Sequence, residues 1–451
     1  MRWAPPTVAR KGGLRSPPDA RGAGVRGAVA AVAQGLNPGR RGVAAGRADG
    51  DAIRALPASR VEVSEGGRRV YLDHAATTPL RPEALAAMTL HWRDAWGNAS
   101  SPHAYGRRAR AAVEQARREV AGLLAAEPSR IVFTAGGTEA NNLAIFGTAA
   151  AAPERRHLVL SAIEHHSVLD ACAALQRRGY ACDLVRPDRS GRVRAGDFLA
   201  ALRPDTALAA LMLVNNEVGA IQPVPEVARA CRARGVPLLV DAVAAAGKLP
   251  LAVGELGADL LTVSAHKLGG PQGVGALYLD PERELVPLLH GGGQERRWRP
   301  GTENAAGIVG FGVAARLAAA ELPAVAARLR AAAAALRRAV EARGCGAVPT
   351  GPADEAERVP GLVSYVFPGL DGDALLVSLD LQGVAAGSGS ACTSGAVLPS
   401  HVLVAMGLDA QARSAPLRLS LGASTPPEVL AAAAEAIAAA VARQRPGTSA
   451  P

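Results

Sequence analysis

Cys392 stands in the run Gly387-Ser388-Gly389-Ser390-Ala391-Cys392-Thr393-Ser394-Gly395. Residues this small pack neither a helix nor a strand core, so the run reads as an accessible loop. A thiol there is placed to react rather than to fill space. Lys267 lies in Ser264-Ala265-His266-Lys267-Leu268-Gly269-Gly270-Pro271, just past an apolar run and before glycines that open access. That placement suits Schiff-base chemistry, although an ordinary surface lysine at a strand end reads the same way in isolation. Asp241 closes the apolar run Leu238-Leu239-Val240. A carboxylate there needs a partner. A protonated pyridine nitrogen would serve, and so would the start of a helix that the side chain caps. The stretch Phe133-Thr134-Ala135-Gly136-Gly137-Thr138-Glu139-Ala140-Asn141-Asn142 reads as strand, glycine turn and helix start. Free N–H groups and the dipole of a helix start receive phosphate. The lysine of a nucleoside triphosphate loop is missing, and a plain strand-to-helix turn has the same appearance. His165 and His166 follow another apolar run. They suit ring stacking and proton shuttling, or helix capping.

These groups need a frame that brings them together. Apolar runs at 131–134, 157–160, 207–214, 236–240, 260–263 and 275–279 read as strands. Helical patterns at 167–178 and 225–234 separate several of them. A helix over 107–126 carries Val113, Ala116, Val120 and Leu123 on one stripe. The alternation predicts an α/β fold with a largely parallel sheet. Polar residues follow the strands: Asn215-Asn216-Glu217, then Asp241, then Ser264 to Lys267. In open α/β sheets ligands bind beyond the carboxyl ends of the strands, so these groups are expected in one pocket. Beyond residue 320 a long Ala/Arg helix, 322–344, opens a smaller α+β region that ends in a helix over 426–443.

The 451 residues suffice for two domains. Aromatic residues make up only 3%, so the core must be aliphatic. The net charge of +10 suggests nucleic-acid binding, but 13 basic against 5 acidic groups fall in the first 70 residues, and the rest holds 37 against 35. The basicity belongs to a Gly/Pro/Arg-rich extension, 1–66, which is expected to be disordered because it cannot bury enough apolar surface. Organelle targeting and a basic anchoring arm are the other readings of it. No direct nucleic-acid partner and no membrane are expected; the late apolar run 429–442 is short and carries Glu435. The five cysteines are odd in number and show no metal-ligand spacing, so no metal site and a reducing cytoplasm are expected. Cys172 and Cys231 fall in helical patterns and read as small core residues.

Taken jointly, the chain resembles the cysteine desulfurases of the class V aminotransferase group, which are fold-type-I enzymes dependent on pyridoxal 5'-phosphate (PLP). The resemblance is carried in family order across 70–440. Its motifs are Tyr71-Leu72-Asp73-His74-Ala75-Ala76-Thr77-Thr78-Pro79, the 136–142 turn, Val214-Asn215-Asn216-Glu217-Val218-Gly219, Ser264-Ala265-His266-Lys267, His290-Gly291-Gly292-Gly293-Gln294-Glu295-Arg296, Gly301-Thr302-Glu303-Asn304 and Ser388-Gly389-Ser390-Ala391-Cys392. It implies conversion of L-cysteine to L-alanine, with sulfur left as a persulfide on Cys392. It implies that Lys267 holds PLP covalently, that Asp241 pairs with the pyridinium nitrogen and that His165 stacks on the ring as a further catalytic group. Thr138, Ser264 and His266 are implied phosphate ligands, beside Gly137. Thr302 is implied to reach the phosphate of the neighbouring subunit of a homodimer. Asn216 would lie beside cofactor and substrate, and Arg418 would fork the substrate carboxylate.

The long stretch after Cys392 resembles the subgroup that feeds an iron–sulfur scaffold or a tRNA-thiolation enzyme. The implied organisation is a large PLP-binding domain, 81–321, and a small domain, 67–80 with 322–446, that carries the cysteine loop. Three positions depart from the pattern: Ala244 for the usual Gln, Ala135 for Ser, and Arg297 where glycine is common. Two other classes fit the residues. One is another class V PLP enzyme, an aminotransferase or selenocysteine lyase, which would turn over without Cys392. The other is a catalytically decayed sulfur scaffold, which would be colourless.

Overall fold

The computed structural model describes residues 69–389, 399–410 and 414–445. The basic extension 1–66 and Cys392 lie outside the described residues. Seven strands form the main sheet: Ile131–Thr134, His157–Ser161, Ala181–Val185, Thr206–Ala210, Leu238–Asp241, Leu260–Ser264 and Gly275–Leu279. Across the sheet they stand first, seventh, sixth, fifth, fourth, second, third. Gly275–Leu279 runs antiparallel to both of its neighbours, and the remaining pairs are parallel. This is the α/β architecture that the alternation predicts. The central strands are buried on both faces and read as continuous Leu/Val/Ala runs.

Strand Ile131–Thr134 is an edge, and a buried ion pair covers it. Arg117 grips Glu295 through two parallel bonds of 2.6 and 2.8 Å. Glu295 also accepts from Phe133 N at 2.7 Å, while Arg117 donates to Ile131 O at 2.9 Å. The pair satisfies edge groups that would otherwise template aggregation. It also fixes the strand that leads into the Gly136-Gly137 turn. The backbone at Glu295, Arg296 and Arg297 adopts φ of 44°, 56° and 71°. Position 297, where a glycine is common in the resembling family, is therefore left-handed, a conformation that costs a non-glycine residue about 1–2 kcal/mol. Part of that is offset by the unfolded-state freedom of glycine. Arg297→Gly is thus expected to stabilise the protein by about 0.5 kcal/mol, read as a higher denaturant midpoint. A lower midpoint would show that the arginine side chain contributes more than its backbone costs.

A second, antiparallel sheet sets Leu362–Val366 between Pro416–Ser420 and Val348–Pro349. A short parallel pair joins Val70–Tyr71 to Val384–Ala385. Two isolated bridges, Asp73 to Ser420 and Gly387 to Arg418, draw these segments together. Along Pro416–Ser420, Leu417 and Leu419 enter an aliphatic core. Period two then sends Arg418 and Ser420 to the opposite face.

The long helix differs from expectation. It spans Ala305–Glu341 and carries Pro323 within it, instead of starting near residue 322. Leu322-Pro323 looks like a helix start because proline is tolerated in a first turn; here the Ala-rich flanks continue the helix through it. The boundary expected between residues 321 and 322 falls inside this one element. Its first half packs Ile308, Phe311, Ala314 and Ala315 into the core around the main sheet. Its second half packs Leu329, Ala333, Leu336 and Val340 into the core around the second sheet. Among the described residues it is the one helix long and apolar enough to cross a bilayer, although no stretch of the sequence was expected to resemble a transmembrane helix. Of its most apolar stretch, 39% is buried within the protein.

Candidate active site

The expected strand ends do converge. Asp241 and Ser264 are the last residues of adjacent strands, and a short 3-10 turn, Ala265–Lys267, follows Ser264 at once. Lys267 Nζ donates to Ala75 O at 2.5 Å and to Ala76 O at 2.8 Å. Thr78 pins the same segment, donating to His266 O through its amide at 2.9 Å and through its hydroxyl at 2.7 Å. The lysine amine thus rests on the 73–78 turn.

Asp241 is buried. Its Oδ1 accepts from Val243 N at 3.0 Å and its Oδ2 from Asn141 Nδ2 at 2.8 Å. Asn141 Nδ2 also donates to Ser167 Oγ at 2.9 Å, and Ser167 Oγ meets His165 Nδ1 at 2.8 Å. Because His165 Nδ1 accepts from Ser167 N as well, the neutral ring carries its proton on Nε2. Burial lowers the His165 pKa, which Asp241 partly counters. His165 is indeed a helix N-cap, one of the two readings its sequence allows.

Beside these groups opens a cavity of about 740 Å³, lined by Gly137, Thr138, Ser264, His266, Thr77 and Gln272 among others. The 15-residue helix Gly137–Ala151 starts at its wall, with its N–H groups and dipole directed there. A Cβ at position 137 would fall 2.9 Å from Val243 Cγ2, so a larger residue there would require the valine to shift. Burial, with Lys267 second, pushes His266 down to about 4, so its imidazole is neutral near pH 7. Thr302 is exposed and does not line this cavity.

Arg418 is almost fully buried. It donates to Asp73 Oδ1 at 2.7 Å, to Asn216 O at 3.0 Å and to Gly389 O at 3.4 Å. Its Nε has no partner among the described residues. An unsatisfied guanidinium N–H in a buried site suits an anion that arrives from outside.

Several neighbours were not foreseen. Asn141 sat inside a quoted motif, but its bridge to Asp241 depends on three separate elements. Lys248 stands four residues after Ala244 and donates to Ala244 O at 3.3 Å. Burial, followed by Lys267 and Arg418, pushes it down to about 8. It thus brings a further amine close to the position where the usual Gln is absent. Asp73 was visible only as part of a motif. Of the other cysteines, Cys172 and Cys231 are buried in the core as expected.

The family model described as aminotransferase class-V matches residues 70–431. The cysteine desulfurase IscS of Dictyoglomus turgidum is 42% identical over 364 residues, covering 80% of this chain and 92% of that protein. The IscS-like cysteine desulfurase of Mycobacterium tuberculosis is 44% identical over 382 residues, covering 83% of this chain and 97% of its own. A solved NifS-like protein superposes with a TM-score of 0.78 at 33% identity, over 83% of this chain and all of the other. The chain belongs to the class-V aminotransferase family, among its cysteine desulfurases.

Proposed function

We propose that the protein converts L-cysteine to L-alanine and retains the sulfur as a persulfide on Cys392, with PLP as cofactor. The single observation that carries this reading is the convergence of a lysine, a buried carboxylate and a cavity at a helix start on the carboxyl ends of adjacent strands, with Arg418 beside them. The residues fit the cofactor. Thr138, Ser264, His266 and the helix start at Gly137 line a cavity suited to a phosphate. Asp241, held by Asn141 and Val243, keeps a carboxylate where a pyridinium would need one. When bound, PLP supplies an imine-forming aldehyde and a ring that accepts the electron pair released at the substrate Cα.

In this reading Lys267 would hold the cofactor, and its amine would move the Cα proton of the substrate. Asp241 would hold the ring nitrogen through its proton, and His165, oriented by Ser167, would hold the ring. Arg418, whose buried Nε lacks a partner among the described residues, would hold the substrate carboxylate, and Asn216 lies beside it. The Cys392 thiolate attacks the substrate sulfur: a sulfur–sulfur bond forms as the Cβ–sulfur bond breaks. The bonding pair goes to the carbon fragment, which takes up a proton and leaves as L-alanine. Gly389 precedes Cys392 by three residues, a span of at most about 11 Å, and its carbonyl already contacts Arg418.

The proposal extends to a two-lobed chain, in which the core of the main sheet carries Lys267 and Asp241 and that of the second sheet carries Arg418. It also extends to a cytoplasmic homodimer, in which the exposed Thr302 reaches the neighbouring phosphate, and to delivery of the sulfur to an iron–sulfur scaffold or a tRNA-thiolating enzyme. The test is a single turnover of purified holoenzyme with L-cysteine and no reductant. Alanine and protein-bound persulfide should appear in equal amounts. Alanine without persulfide, or no alanine, would sink the reading.

A further inference from the structure

Two residues that flank the Cys392 segment, Gly389 and Ser400, meet at one buried carboxyl group, Glu217. Ser400 Oγ donates to Glu217 Oε2 at 2.5 Å. The hydroxyl proton is committed there, because the same oxygen accepts from Leu403 N at 3.2 Å as the cap of helix His401–Ala405. On the other side Gly389 adopts φ 92°, and a Cβ built on it would lie 3.3 Å from Glu217 Cβ, Cγ and Oε2. Its backbone therefore rests directly on the Glu217 side chain, while Arg418 holds its carbonyl at 3.4 Å. The turn that presents Glu217 is itself held. Asn215 Oδ1 accepts from both Glu217 N and Val218 N at 3.0 Å, and Asn215 Nδ2 donates to Ile163 O at 3.1 Å.

A carboxyl group this buried is costly unless it organises its surroundings. Burial raises the Glu217 pKa, against the opposing effects of Ser400, Arg418 and His166. The mechanism proposed above gives Glu217 no task at the reacting atoms, so its cost needs another account. Resting on the desulfurase reading, we propose that Glu217 is a positioning residue for sulfur transfer: it clasps Ser400 and Gly389 beside Asn216 and Arg418, and so centres the reach of Cys392 on the amino-acid site. Tying both flanks of a connecting segment raises the effective concentration of a group it carries at a fixed point.

Single turnovers of holoenzyme test this with Glu217→Ala, Ser400→Ala and Glu217→Gln, each normalised to bound cofactor. Removing either half of the clasp should slow persulfide formation by about tenfold, while the L-cysteine concentration that half-saturates the cofactor absorbance change stays within about twofold of wild type. Glu217→Gln keeps an oxygen that accepts from Ser400 and should lose no more than about threefold. A variant that is merely destabilised would lose cofactor and binding amplitude together, without this split. If Glu217→Ala does not fold, Ser400→Ala decides. Wild type that forms no persulfide would overturn the desulfurase reading. Wild type that forms it as fast as the alanine variants do would overturn this inference alone.

Discussion

Replacing Lys267 by alanine is expected to end both cofactor attachment and turnover. The amine is the nitrogen available at the end of strand Leu260–Ser264 for a covalent link, and it is held there by Ala75 O and Ala76 O. It is also the group proposed to move the Cα proton, so the variant loses two tasks at once. General acid–base catalysis alone is worth about 10²–10⁴-fold, so alanine formation should fall by at least about a thousandfold. Borohydride treatment should fix a pyridoxyl group on wild type and none on the variant. Lys267→Arg should behave like the alanine variant, since a guanidinium stays charged and forms no imine. Substantial turnover by either variant would remove the lysine from the mechanism.

Cys392→Ser is expected to separate the two halves of the reaction. Cofactor absorbance and its response to L-cysteine should remain, because Lys267, Asp241 and the described residues that line the cavity are kept. Persulfide should vanish, and alanine should form at least about a hundredfold more slowly, because a hydroxyl is a far weaker nucleophile toward sulfur. Three of the other four thiols are poor substitutes. Burial pushes Cys182 and Cys231 up to about 12, and Cys172 also well above its ordinary value. A free thiol near 8.5 keeps a few per cent of thiolate at neutral pH, which those groups lack. If the serine variant still transferred sulfur to an acceptor at full rate, another nucleophile would have to be found.

The strand ends were legible in the sequence because burial on both faces leaves an unbroken apolar run, and a polar residue after such a run has few structural excuses. Asp241, Ser264 and Lys267 were found that way. Arg418 was reached through resemblance, since a lone arginine in Leu417-Arg418-Leu419 also fits an ordinary half-exposed strand. What period and propensity do not encode is the link between elements. Ser167 joins Asn141 to His165 across two helices, and Glu217 meets Ser400 over 183 residues of chain. The helix Ala305–Glu341 was misread at its start because proline is a local signal, while the continuity of that helix is set by what its flanks bury. The left-handed backbone at Arg297 was similarly hidden, for arginine carries no local signal of positive φ.

That long helix has a thermodynamic consequence. A rod whose two halves are seated in different hydrophobic clusters transmits melting from one to the other, because neither half can leave its seat without loosening the shared backbone. Lys267 and Arg418, whose chain neighbours pack into the clusters of different halves of this rod, should therefore lose their order in a single cooperative step. A truncation that cuts the rod at its midpoint would deprive each cluster of a wall.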